Sequence, residues 1–159
     1  MSKYMIGNIK NKFSKKSLDD QFEIAMKIAV TNHYGQKDKG GKPYILHLIH
    51  VMNNVEGLDV KIVAILHDIL EDTNITKDDL LNHGFSEFLV DTICLLTKPK
   101  QQEYMTYIKN VSKNMIAKKV KMADLKHNMD LTRIENITER DLSRVNKYFK
   151  AYKYLSKSD

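Results

Sequence analysis

Apolar residues recur at three- and four-residue spacing along most of this chain, and no segment alternates apolar with polar over the length of a strand. That pattern admits helices and excludes a half-buried sheet. Ser17 can cap a segment running through His33, with Phe22, Ala25, Met26, Ala29 and Val30 on one stripe. Pro43 suits the first turn of a second helix carrying Ile45, Ile49, Met52 and Val55. Asp59 opens a third, through about Glu71, that is apolar on most sides and therefore central. Thr76 to Asp79 reads as a capping box for a short helix ending near Gly84, and Ser86 starts another through Leu96. After Pro99, the run Glu103 to Val111 and the long run Met115 to Ile134 both keep helical period. Thr138 to Asp141 caps a last helix, with Leu142, Val145, Phe149, Tyr152 and Leu155 on one face. The expected fold class is all-α, a single helical bundle.

Composition narrows this further. With 159 residues, 42% of them hydrophobic, the chain is one domain with enough apolar mass to close a core. A single cysteine, Cys94, removes internal disulfides, zinc ribbons and CxxC redox chemistry, and suits a reducing cytoplasm. Apolar runs such as Ile62 to Leu66 fall far short of the ~20 residues of a membrane helix. The basic start of the chain lacks the apolar core of a secretory signal. The 26 basic and 20 acidic residues leave a net +6, concentrated in residues 1–18 and 98–126, while Asp68 to Asp91 is acidic. A solvated lysine-rich surface accounts for this excess, so charge alone does not call for a nucleic-acid partner.

The strongest local signal is His67-Asp68-Ile69-Leu70-Glu71-Asp72. On a helix, His67 and Glu71 lie one turn apart, as do Asp68 and Asp72, so the polar groups form a strip on an otherwise apolar element. Burying several carboxylates without compensation costs several kcal/mol each, which argues for a counter-cation. Lysines could supply it, but imidazole beside carboxylate better matches a divalent metal. Two further places offer ligands. His47 and His50 sit on the helix after Pro43, and Asp124, His127 and Asn128 sit on the long helix, where Asp124 shares a stripe with Ala117 and Val120. Imidazole and carboxylate without thiolate suit manganese, iron or zinc in a hydrolytic site. The loop Gly35 to Lys42 is rich in glycine and charge, and Lys37 and Lys42 could bind phosphate oxygens.

The segments Gly35-Gln36, Lys42-Pro43-Tyr44-Ile45-Leu46-His47, Ala64 to Thr73 and Lys121-Met122-Ala123-Asp124 to His127-Asn128-Met129 resemble the HD superfamily of metal-dependent phosphohydrolases. Within it they are similar to the hydrolase half of RelA/SpoT enzymes and to the small alarmone hydrolases. The likeness covers about residues 20–155. It implies a basic segment at 1–16 followed by an HD domain over 17–157. It further implies that His47, His67, Asp68 and Asp124 ligate one divalent metal, as a rule Mn2+. Glu71 and Asp72 match the catalytic acidic pair that positions or deprotonates the attacking water, Asn128 matches a nucleotide-sugar contact, and Lys37 a basic residue near base or phosphate. His50 has no counterpart as a ligand and reads as packing or support. The sequence departs from the pattern at Leu48, at Leu125 in place of a basic residue, at Asp130-Leu131 in place of Arg-Thr, and at Gln36 near the place of an arginine that packs on guanine.

The resemblance implies (p)ppGpp 3′-pyrophosphohydrolase activity on a nucleotide or polyphosphate substrate, in the cytoplasm and without a membrane. An HD phosphatase acting on another nucleotide, or a non-catalytic module that senses one, are the alternatives. Homo-oligomerisation is left open. Tyr104, Tyr107 and the tyrosines of the last helix read as packing residues.

Overall fold

A computed structural model describes residues 16–157. Among these the chain is helical, with an isolated antiparallel bridge between Lys37 and Pro43 and no named strand. The basic segment expected at 1–16 lies, but for Lys16, outside the described residues.

The helices begin where their caps dictate. Ser17 caps α1 (Leu18–Asn32) in a reciprocal box with Asp20, and Thr76 does the same with Asp79 for α5 (Lys77–Asn82). Ser86 caps α6 (Glu87–Leu96), Glu103 caps α7 (Tyr104–Val111) and Asn114 caps α8 (Met115–Asn128). In α9 (Glu139–Lys157) the first turn is held by Thr138, whose amide and hydroxyl both donate to Asp141 Oδ2. Between these lie α2 (Ile45–Asn53), α3 (Leu58–Leu66) and the single turn α4 (Ile69–Asp72).

The centre is α3. Ile62 through Leu66 are wholly buried, and the helix packs on α1, α2, α6 and α8. Each large aliphatic buried there contributes ~1.5–3 kcal/mol, so an element apolar on most sides has no stable place but the middle. No helix among the described residues is long and apolar enough to cross a membrane.

Three expectations need correcting. The third helix does not run unbroken to Glu71: it ends at Leu66, Asp68 adopts φ −103° and ψ 1°, and α4 starts after it. The break lets neighbouring His67 and Asp68 face one point, whereas a straight helix would splay them about 100° apart. The long run after Met115 stops at Asn128, because Asp130 leaves helical geometry and caps a short 3-10 turn (Leu131–Arg133) through its own carboxylate. On α9 the buried residues are Ala151 and Leu155, while Leu142 and Phe149 are half exposed, so the helix is rotated from the expected face.

Candidate active site

Three elements bring the expected metal donors together. His47 lies in the first turn of α2, His67 ends α3 and Asp124 lies in the last third of α8, all buried. Their donor atoms lie within 4.8 Å of one another. His47 Nε2 is 3.2 Å and His67 Nε2 3.5 Å from Asp124 Oδ1. His67 donates from Nδ1 to the Ala64 carbonyl at 2.7 Å, which turns Nε2 inward, where it is buried without an aligned hydrogen bond. A buried, orphaned imidazole nitrogen facing a carboxylate fits a cation, and the donor set suits a divalent metal. Asp68 stands at the edge of the group, its Oδ2 3.0 Å from His67 Nε2 and 3.8 Å from His47 Nε2.

The carboxylates are oriented by Tyr44 and Lys121, which the sequence did not single out, and by Asn128, expected instead as a sugar contact. The Tyr44 hydroxyl donates to Asp68 Oδ2 at 2.5 Å. Lys121 donates to Asp124 Oδ2 at 2.8 Å, and Asn128 Nδ2 to Asp124 Oδ1 at 2.5 Å. Burial opposes ionisation of Asp124, but the Lys121 ammonium and the two histidines outweigh it and hold its carboxyl well below the usual range. Asp68 is likewise penalised by burial, yet His67 beside it brings it down to about 2. Burial alone would lower His67; Asp68 and Asp124 instead push it up to about 10.

Glu71 and Asp72 border the same cavity from α4. Burial, with Asp68 adding like charge, raises both above ordinary carboxylates, which moves them toward the range of a general base at neutral pH. The Gln36 side chain donates to the Asp72 carbonyl at 3.0 Å and accepts from His33 Nδ1 at 2.8 Å, so it braces α4.

Lys37 and Asn128 also line the cavity; Lys42 does not. The loop folds back through the Lys37–Pro43 bridge, with the Lys42 amide and carbonyl both paired to Asp38, and the Lys42 side chain is exposed. Cations that the sequence reading passed over stand in the cavity wall instead: Lys98 after α6, Lys121 on α8, and Arg144 and Lys147 on α9. Lys147 lies over the rings of Tyr104 and Tyr148, both of which border the cavity, so Tyr104 and Tyr148 are wall residues as well as packing. The signal was faint, because lysines on two helices are common on solvated faces and only the packing of α9 on α8 brings them together. Leu125, standing where the resembled pattern has a basic residue, is wholly buried in the core and does not line the cavity.

No family model matches the chain. It is 39% identical over 93 residues to the guanosine-3′,5′-bis(diphosphate) 3′-pyrophosphohydrolase of Borreliella burgdorferi, covering 56% of this chain and 13% of that protein. Over 123 residues it is 34% identical to the GTP pyrophosphokinase of Streptomyces antibioticus, covering 69% of this chain and 14% of that one. The chain thus spans a small fraction of the length of these curated relatives. Its fold is shared, at a TM-score of 0.72 and 24% identity over 87% of each chain, with a solved metazoan ortholog of SpoT described as hydrolysing ppGpp. The resemblance carried by the motifs is therefore present in longer stretches of sequence and in the fold.

Proposed function

From its relation in sequence to RelA/SpoT-type proteins and the helical fold it shares with a SpoT ortholog, we propose that this chain is a metal-dependent phosphohydrolase acting as a (p)ppGpp 3′-pyrophosphohydrolase. The observation that carries the reading is one cavity in which a buried His47, His67 and Asp124 donor set, two carboxylates with raised pKa and a wall of cations meet.

In this reading His47, His67, Asp68 and Asp124 hold the metal, Mn2+ by the family resemblance. A divalent ion held there would supply Lewis acidity to the site. Glu71 or Asp72 takes the proton of the water that attacks phosphorus, and the raised pKa of each makes it a stronger base than an ordinary carboxylate. Lys37 and Asn128 border the nucleoside end. Lys98, Lys121, Arg144 and Lys147 receive the diphosphate and stabilise its developing charge. In this reading the activity belongs to the cytoplasm, in keeping with a nucleotide substrate.

A second reading, hydrolysis of another purine nucleotide carrying a ribose phosphate, draws on Gln36 and Leu125. One is occupied with Asp72 and the other is in the core, so neither frames a base. The acidic pair at the cavity argues for turnover over mere sensing. Incubation of the Mn2+-loaded protein with ppGpp, ppApp and NADPH, resolving pyrophosphate from phosphate, tests both. Pyrophosphate released chiefly from ppGpp supports the first reading, and equal release from ppApp the second. Absence of turnover on all three overturns both.

A further inference from the structure

His127 is three residues beyond Asp124 and has no role in the scheme above, yet it touches the metal-facing histidine. A neutral imidazole carries one ring proton. His47 Nε2 faces Asp124 and Asp68, the side on which a cation is held, so as a ligand His47 must carry its proton on Nδ1. Nδ1 of His127 stands 2.7 Å from that Nδ1. Two ring nitrogens at this distance share one proton, so if His47 donates, His127 must accept.

Arg133 decides the matter. A guanidinium has donors and no acceptor. Its Nη1 lies 3.1 Å from the same His127 Nδ1 and 2.9 Å from the His127 carbonyl. A proton on His127 Nδ1 would face the Arg133 N–H, so His127 carries its proton on Nε2. Its plane is fixed by stacking on His50, with centroids 3.9 Å apart and 14° between planes, and by a near-parallel contact with His47 at 5.0 Å and 12°.

Arg133 reaches the other way as well. Its Nη2 pairs with the Asp38 carboxylate, which also accepts from the Lys42 amide at 2.9 Å and so closes the loop that carries Lys37. The two segments are packed so tightly that a Cβ at Gly40 would collide with the Arg133 carbonyl.

We propose that His127 and Arg133 are positioning residues: together they hold His47 in the tautomer whose Nε2 is open to the cation, and Arg133 ties that contact to the loop at the nucleoside end. The proposal rests on the reading of His47 as a metal ligand. Arg133 borders the cavity, but its guanidinium is engaged by His127 and Asp38. Metal retention and order of the Lys37 loop are thereby coupled through His47, His127, Arg133 and Asp38.

The test is a Mn2+ titration of the chelator-treated full chain beside three single variants and the double variant His127→Phe with Arg133→Gln. His127→Phe keeps a stacking ring and removes the acceptor, His127→Asn keeps an acceptor near the Nδ1 position, and Arg133→Gln removes the fixed charge. His127→Phe is expected to bind Mn2+ ~10–100-fold more weakly, the usual effect of losing a partner behind a metal ligand. His127→Asn restores most of the affinity, and Arg133→Gln weakens it while adding little to His127→Phe, as members of one network do. Imidazole 15N shifts of the wild-type protein without metal give a second readout: His127 Nδ1 unprotonated and His47 Nδ1 protonated. Equal Mn2+ affinity in His127→Phe overturns the proposal, as do equal losses in the Phe and Asn variants or a protonated His127 Nδ1. A wild-type chain that takes up no Mn2+ overturns the metal reading itself.

Discussion

At the scale of single residues, neighbouring charge and partial desolvation at the cavity do most of the chemical tuning. Glu71 and Asp72 differ from the other carboxylates because burial and Asp68 oppose their ionisation, while Asp124 has Lys121 in contact. Glu71→Gln should lower turnover ~10²–10⁴-fold with metal content almost unchanged, since it removes a base without removing a donor from the His47, His67 and Asp124 group. Turnover paired with metal analysis checks this, and loss of the metal would make Glu71 a ligand. His67 yields a pH dependence. Its pKa without metal is raised from 6.5 to about 10, so its stabilising interaction with Asp68 and Asp124 is complete below 6.5 and lost as pH rises through about 10. The Tm of chelator-treated protein should therefore fall between pH 6.5 and 10. His67→Gln should flatten that part of the profile, and an unchanged slope in the variant would reject the assignment.

At the scale of elements, caps and breaks set where side chains can point. The Ser17 cap and the Thr76–Asp79 box were legible because capping partners lie within three residues and need nothing from the rest of the fold. Ser17→Ala and Thr76→Ala should each cost ~0.5–2 kcal/mol in urea unfolding while leaving Mn2+ affinity as it was. A loss of affinity in either would mean that these helix ends are coupled to the site. The break at Asp68 was not legible. Periodicity continues across it, and a local pattern does not register that the hydrogen-bond ladder of α3 stops at Leu66 so that His67 and Asp68 can converge. The end of α8 was not legible for a similar reason: the Asp130 carboxylate accepts from the Thr132 amide and so caps a short turn in place of another turn of α8.

At the scale of the whole molecule, packing decides which departures from the family pattern bear on function. Leu125 stands where related hydrolases have a basic residue, but here it is fully buried against the core around α3. Leu125→Arg should not improve discrimination among purine nucleotides. It should instead destabilise the fold by several kcal/mol, because an unpaired guanidinium would be forced into an apolar interior. Thermal unfolding beside a nucleotide competition assay distinguishes these outcomes. A folded variant with sharpened ppGpp preference would show that position 125 can turn to the cavity.

The sequence by itself determined the all-α class, the capped helix starts and α3 as the central element. Each of these is written in residue type and short-range spacing, which is where helical period and capping chemistry operate. Tertiary structure alone decided the rest. Tyr44 meets Asp68 across 24 positions, His47 meets His127 across 80, and Asp38 meets Arg133 across 95. Lys42 left the cavity and Lys98, Arg144 and Lys147 entered it through the fold of one loop and the seating of α9 on α8. Contacts over such separations depend on how helices cross, and crossing is set by the summed packing of many side chains, which no local spacing records.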